Sequence, residues 1–577
     1  MSRVPVAADE IWRVAPHDGA RVEALAAAAR APELVARLLL SRGVQTAEAA
    51  AAFFDPSVER LHDPLSMKGV AEAADVLLSA ARGGRRIAVF GDYDVDGVTS
   101  VAQLSAVLRR AGADAVAFLP HRLKDGYGLK PATVRRVLSE LKPAVIVTVD
   151  CGITAIEGVA CARAEGVEVI VTDHHLVPDE LPAGAVVVNP RQPGCAYPYK
   201  ELAAAGVALK IAVALAARAG VRVPTESLLR VACLGTIADV VPLSGENRVI
   251  AAAGLKALAA ARAPGLTALL SEAGVAGRAP TAEEVAFRVA PRLNAAGRLD
   301  TAKLALSLLE ERDPARARQV ASELSRRNTE RQGIERRIVR EAREKAADGF
   351  DPDRDAIFVA WDPGWHRGVL GIAASRLARE FNRPVLLFAV EGDRATGSGR
   401  SIPGVSLHGT LQEVASFFDE FGGHDQAVGG SLAASRLPQF QEAVRELFAA
   451  RVASDRLVRV READAELSPG EVAPELCEWL TRFEPHGAGN PRPVFRSAPC
   501  AFDGPLRLLG ESGLRGRLSA DGRRSVAAIT WERPMLERAL ARGGRLEAHY
   551  RLGRDRYGQI EAEVVAARPF GASGEGA

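Results

Sequence analysis

The chain is poor in several features, each of which would have marked a class of protein. Its six cysteines lie at 151, 161, 195, 233, 477 and 500, and no two form a CxxC pair. A disulfide framework or a structural zinc site is therefore not expected, and reduced thiols are the simpler reading. No stretch of about 18 uninterrupted apolar residues occurs, so no membrane-spanning helix is expected. The opening MSRVPVAADEIWRV has acids early and no apolar signal core, which predicts no secretory signal and a cytoplasmic location. Net charge is almost absent: 74 lysines and arginines face 72 acids, leaving +2. That excludes a uniformly basic, histone-like binder but leaves room for a local basic groove. Aromatics are only 5%, yet hydrophobic residues reach 48% and charged residues 25%, as in a globular chain with ample core. At about 150 residues per domain, the length implies three to four units.

The predicted fold class is α/β, with a doubly wound parallel sheet, a second α/β unit and a small C-terminal β barrel. Residues 1–82 read as an alanine-rich, N-terminal helical extension broken at Pro56 and Pro64, with no visible chemistry. A first domain is expected over 83–312. Within it the apolar runs 87–90, 115–119, 144–149, 167–172 and 185–188 alternate with helix-like segments, the signature of a parallel sheet. From Ala315 to Asp348 there is no proline, one glycine, and ten basic against six acidic residues. This predicts a long charged helix, spanning about 313–350, that connects two domains. Runs at 356–360 and 385–390 predict strands of a second α/β domain over 351–455. Short alternating runs such as 525–530 and 560–565 predict the barrel over 456–570, followed by a tail, 571–577.

Three predicted strands end in aspartate. The loops are Gly91-Asp92-Tyr93-Asp94-Val95-Asp96-Gly97, then Asp150-Cys151-Gly152, then Asp173-His174-His175. In a parallel sheet all three open at the same edge, where such folds bind ligands. Five aspartates and two histidines in one crevice cannot all stay ionised without a cation. Carboxylates with imidazole suit Mn2+ or Mg2+ better than zinc, and two ions sharing a carboxylate are a common solution for phosphoester hydrolysis. A calcium loop is the alternative for 92–97, but no glutamate completes its twelve-residue pattern.

These motifs resemble the DHH phosphoesterase superfamily, and within it the bacterial exonucleases specific for single-stranded DNA. The resemblance runs from about 50 to 565. It includes Leu234-Gly-Thr-Ile-Ala-Asp239-Val-Val-Pro-Leu243 and Pro291-Arg-Leu-Asn294-Ala-Ala-Gly-Arg298. Further on come Gly364-Trp-His366, the run to Arg376, Gly397-Ser398-Gly-Arg400, Gly422-Gly-His424 and Phe483-Glu-Pro-His486-Gly-Ala-Gly-Asn-Pro491. His486 stands where that family carries phenylalanine, away from the metal motifs, and Ala203-Ala204-Ala205-Gly206 lacks one of the glycines expected there; neither departure argues against the activity. The resemblance implies two divalent cations, Mn2+ or Mg2+, held by Asp94, Asp96, Asp150, His174 and Asp239, with Asp150 bridging. It makes Asp92 a ligand or a neighbour of one, and His175 a base or transition-state contact. It makes Asn294, Arg298, Arg376, Ser398, Arg400 and His424 the substrate-binding set. Arginine suits a terminal phosphate because its fork forms bidentate bonds. Arg298 and Arg400 are read as sitting in glycine-flanked turns.

From Arg482 to Tyr557 there are fifteen arginines, no lysine and eight acids, so this stretch carries +7. Phe483, Phe495, Trp531, Tyr550 and Tyr557 are interleaved with them. Most of these aromatics are expected in the barrel core, while the arginines suit a single strand held on an OB-type domain. The resemblance implies a monomeric 5′→3′ exonuclease on single-stranded DNA in repair and recombination. It also implies partners such as a single-strand binding protein and a helicase. Two alternatives stay open: a DHH enzyme acting on short oligonucleotides, cyclic dinucleotides or pyrophosphate, and a non-catalytic DNA-binding scaffold.

Overall fold

The computed structural model describes residues 10–571 apart from Leu123, Glu511, Arg542, Gly543 and Arg556. The chain enters as a strand, β1 (Glu10–Val14), where helix was expected. Helices Gly19–Ala29, Glu33–Leu40 and Ala47–Phe54 follow. Their apolar faces, including Val22, Leu25, Leu38, Leu39 and Phe53, join a core cluster made mostly of the C-terminal barrel.

Helix Val70–Arg82 then begins the packing of the first sheet. Its strands are β2 (Ile87–Gly91), β3 (Ala115–Phe118), β4 (Val145–Val149), β5 (Glu168–Thr172) and β6 (Val186–Val188). All pair in parallel, in the order β3-β2-β4-β5-β6. The strands are short and apolar on both faces because both faces are covered. Ile87, Val89, Val145 and Val147 meet helices Val70–Arg82, Val95–Arg110 and Ala204–Ala219. Ala88, Phe90 and Ile146 meet helices Pro131–Leu141 and Ile156–Ala164 on the other side. The strand order reverses between β2 and β4, so the loops after these strands part and leave a crevice.

Helix Pro314–Ala347 is the expected connector. Ala317, Ala321 and Leu324 near its start lie in the first domain's core, and Ile338, Val339, Ala342 and Ala346 near its end lie in the next one. The second sheet contains β7 (Phe358–Asp362), β8 (Val385–Glu391), β9 (Arg394–Arg400), β10 (Glu420–His424) and β11 (Ala427–Ala433). Its order is β10-β11-β9-β8-β7, with only β7 and β8 parallel.

Strand β12 (Arg459–Ala463) pairs in parallel with β1 and ties the first described residues to the last unit. Then come β13 (Ala465–Glu466), β14 (Phe495–Leu509), β15 (Gly513–Ser519), β16 (Ser525–Thr530), β17 (Leu546–Arg554) and β18 (Ile560–Pro569). The pairings β14–β15–β16–β18–β17–β14 close a five-stranded barrel. All six cysteines are free, and no helix of the described residues is long and apolar enough to cross a membrane.

One arginine joins three of these parts. Arg248, 2% exposed on helix Gly245–Leu258, stacks on Phe53 of the N-terminal helices. It donates to the carbonyls of Phe53, Arg482, Phe483, Glu484 and Pro485 at 2.8–3.3 Å. Burial, and then the nearby Arg42 charge, lower its pKa to about 10, yet five acceptors keep the cation satisfied. Arg248→Met should leave these carbonyls dry and unpaired, at a cost of about 2–4 kcal/mol. Urea unfolding monitored at the barrel should show that loss as an earlier first transition, whereas an unshifted midpoint would deny the clamp its weight.

Candidate metal centre

Each acidic side chain is placed by the element it ends or begins. Asp94 caps helix Val95–Arg110, accepting from Gly97 N at 3.0 Å. Gly97 is required there, since a Cβ would lie 2.5 Å from the Asp92 carbonyl oxygen. Asp96, in the first helical turn, is 1% exposed. Its two oxygens accept from the amides of Ala204 and Ala205, both at 2.8 Å, at the start of helix Ala204–Ala219. Asp150 follows β4 with φ 64°, a left-handed conformation that aspartate tolerates better than most residues. Asp239 ends helix Thr225–Ala238.

These groups converge. Donor atoms of Asp92, Asp94 and Asp150 lie within 4.8 Å of one another, and so do those of Asp96, His174 and Asp239. His174 Nε2 stands 3.2 Å from Asp150 Oδ1 and 3.7 Å from Asp239 Oδ2, which joins the two sets. Asp92 Oδ1 and His174 Nε2 are buried without a hydrogen-bond partner. Such orphaned ligand atoms among crowded carboxylates are what a hard cation with imidazole tolerance would satisfy.

The electrostatics show the same stress. Burial, then the Asp94 charge, raises Asp92 well above the usual carboxylate range and Asp96 to about 7. Burial and four neighbouring aspartates push Asp150 far up as well. Burial with Asp96 and Asp94 takes Asp239 to about 9. Burial and the His175 charge lower His174 to about 4, so its imidazole is neutral and can act as a ligand.

Asp173 departs from the rest of the crevice. Its Oδ1 accepts from the amides of His174 and His175 and from His175 Nδ1, at 2.7–3.1 Å, and its Oδ2 accepts from Ile153 N at 2.9 Å. Burial would raise its pKa, but the bond and charge of His175 overcome that and hold it low. In return, and against its own desolvation, His175 is raised to about 9 by Asp173. Asp173 thus anchors an imidazolium beside the carboxylates.

Facing them is a group of arginines. Arg298 lies in helix Ala290–Leu299 and Arg400 at the end of β9, so neither occupies the glycine-flanked turn expected from sequence. Burial, then repulsion by Arg122, Arg331 and Arg400, lowers Arg298 to about 9. Arg122 stacks on Tyr93 at 4.8 Å, and Arg331 is 8% exposed on the connecting helix. Among the described residues Arg122, Arg298 and Arg400 make no salt bridge. Asn294 is half-buried one turn before Arg298 on the same helix. Arg400 donates to Ser398 Oγ at 3.1 Å and packs on the start of helix Leu370–Phe381, where a Cβ on Gly371 would lie 2.7 Å from Arg400 Nη2. His424 sits exposed on the same row of strands, opposite Ala427, which itself pairs with Arg400. Arg376 is half-exposed, 3.6 Å from Glu335, the carboxylate that also pairs with Arg331 at 3.3 Å.

In the barrel Phe483, Phe495 and Tyr550 are wholly buried, while Trp531 is 55% and Tyr557 70% exposed. Several arginines serve the barrel itself, such as Arg496 on Glu547 and Arg515 on Glu561. Arg507, Arg523, Arg524 and Arg538 face solvent.

Residues 86–236 match the N-terminal domain of the DHH family, 354–450 the DHHA1 domain and 463–563 the RecJ OB domain. The single-stranded-DNA-specific exonuclease RecJ of Escherichia coli (strain K12) is 36% identical over 83% of this chain and 85% of its own length. The chain belongs to the RecJ family. The RecJ of Bacillus subtilis (strain 168) is 37% identical over 84% of this chain, and the match spans 61% of that protein. A crystal structure of RecJ in complex with Mn2+ from Thermus thermophilus superposes with a TM-score of 0.81 at 33% identity, covering 97% of this chain and 80% of that one.

Within this RecJ-family site, Arg122, Arg331 and Tyr127 were not singled out from sequence. Tyr127 donates to the Asp150 carbonyl at 3.3 Å. The run His121-Arg122 to Tyr127-Gly128 was a usable signal, being a basic, glycine-containing loop after a strand. Arg331 gave none, since it is one of ten basic residues on a charged helix.

Asp96, Asp239 and His175 all have folded pKa values above their ordinary ones. Each therefore stabilises the metal-free fold while protonated, and that contribution is lost as pH rises through about 7 to 9. Urea midpoints in chelator should fall from pH 6.5 to pH 9, and Asp239→Asn should flatten the slope. A midpoint that stays level or rises over that window would show that the folded state sheds no excess protons there, against the raised pKa values.

Proposed function

We propose that this protein is a divalent-metal-dependent exonuclease that degrades single-stranded DNA 5′→3′ to 5′-mononucleotides in repair and recombination. The observation that carries this reading is a crevice of crowded carboxylates set against Arg122, Arg298 and Arg400, which make no salt bridge among the described residues. A phosphodiester bound over metal ions beside a cationic cluster satisfies both halves. The manganese-bound and magnesium-bound RecJ structures of similar chains support Mn2+ or Mg2+ as the cation.

In this reading Asp92, Asp94 and Asp150 hold one ion and Asp96, Asp150, His174 and Asp239 the other. Two such ions supply an activated water and a counter-charge for the departing oxygen. His175, kept cationic by Asp173, stabilises charge that builds on the phosphoryl group. Asn294, Arg298, Ser398 and Arg400, with His424 nearby, hold the 5′-terminal phosphate, while Arg376 serves the strand farther out. The barrel's exposed arginines and Trp531 guide the incoming strand. A monomer in the cytoplasm, working with a single-strand binding protein and a helicase, completes the reading.

The test is digestion of a long single strand labelled separately at each end. Mononucleotides should appear first from the 5′ end with Mn2+, stop with chelator, and fall by about 10³-fold or more in Asp150→Ala. Rapid dinucleotide hydrolysis with the long strand intact would instead assign a small-substrate activity. Arg400→Gln should reduce the preference for a 5′-phosphate over a 5′-hydroxyl end by about 10–100-fold. An unchanged preference would remove Arg400 from the phosphate pocket.

A further inference from the structure

Two large apolar side chains stand in solvent at the metal centre. Leu176, directly after His175, is 77% exposed, and Val240, directly after Asp239, is 68% exposed. Their segments adjoin, since His174 Nε2 is 3.7 Å from Asp239 Oδ2. Tyr127, 43% exposed, has its hydroxyl 3.4 Å from His175 Nδ1, the ring that precedes Leu176. Val240 is held at φ 63°, a left-handed conformation that a β-branched residue rarely adopts.

A single exposed leucine needs no explanation. Two on adjoining segments, each one residue beyond a group of the metal centre, are a different case. Neither belongs to the core, so packing does not account for them, and strained backbone that places a side chain at a site marks a functional constraint. On the nuclease reading above, the scissile phosphodiester lies over the carboxylates. The sugar next to that phosphate then comes against the rim. In DNA its nearest apolar edge includes the C2′ methylene, whereas in RNA that carbon carries a hydroxyl. Leucine and valine offer neither donor nor acceptor, so a hydroxyl pressed against them loses water without replacement.

We infer that Leu176 and Val240 form a sugar-selecting step at the metal centre, accepting deoxyribose and rejecting ribose. An apolar surface rejects an added hydroxyl by up to about 10²-fold, which sets the scale of the effect. The inference rests on the nuclease reading and adds the sugar as a specificity determinant.

Two experiments test it. In the first, kcat/KM is measured with Mn2+ on 5′-phosphorylated DNA and RNA of one sequence. The unaltered protein should prefer DNA by about 10–100-fold. Leu176→Ser and Val240→Thr each supply a hydroxyl partner, and threonine keeps the β-branch of the strained position. Each should narrow the preference at least about fivefold, chiefly by raising the RNA rate. A ratio unmoved in both variants, with Mn2+ affinity and DNA cleavage intact, overturns the proposal.

The second experiment uses only the unaltered protein, so it does not depend on the variants folding. A DNA strand carrying one ribonucleotide should be digested with a pause when the ribose reaches the centre. Digestion through it at an even rate also overturns the proposal. If the unaltered protein digests neither polymer, the nuclease reading itself fails and the sugar step goes with it.

Discussion

Like charge crowded out of water is the constraint around which this protein is arranged. Asp92, Asp96 and Asp150 are nearly buried, with Asp94 and Asp239 beside them. A structure selected for stability alone would replace such a group with apolar side chains. Its retention means that the surrounding elements serve to hold repelling groups in place. The parallel strands deliver the carboxylates to one edge. The amides of Ala204 and Ala205 steady Asp96, and Asp173 fixes an imidazolium against the cluster.

Facing the carboxylates is the opposite problem, positive charge. Arg400 comes from the second α/β domain and Arg298 from the first, and neither makes a salt bridge among the described residues. Arg331, from the helix between them, is paired with Glu335. Because that helix contributes to both cores, the distance between the carboxylates and the arginines is set by buried packing. Each half lowers the electrostatic cost of the other, and an anion between them lowers both.

The first domain was legible in the sequence because its information is local. Apolar runs such as 145–149, ended by aspartate, name both the strand and the edge where its carboxylate emerges. The arginines were only partly legible. Arg298 and Arg400 could be named by motif, but their flanking glycines suggested turns. In the structure those glycines instead permit close packing, as Gly297 does against the Tyr93 carbonyl and Gly399 against Leu386. Arg331 was invisible, because what distinguishes it from its neighbours on the helix is a tertiary position. Strand β1 was missed for a similar reason: its partner β12 begins roughly 450 positions later, and a parallel pair that distant leaves no short-range pattern.

The core shared between the N-terminal helices and the barrel has a consequence for how the chain is made. Leu38, Leu39 and Phe53 are made well before Phe483, Phe495 and Tyr550, with which they share a core. At about 5–20 residues per second, a gap of roughly 430–510 residues means that those helices wait roughly 20–100 s for their other half. Both α/β domains can condense in that interval, whereas the amino-terminal segment carries an apolar face with nothing to cover it. Nascent chains of this protein should therefore depend on a holdase until the last strands emerge, and the finished molecule closes by joining its beginning to its end.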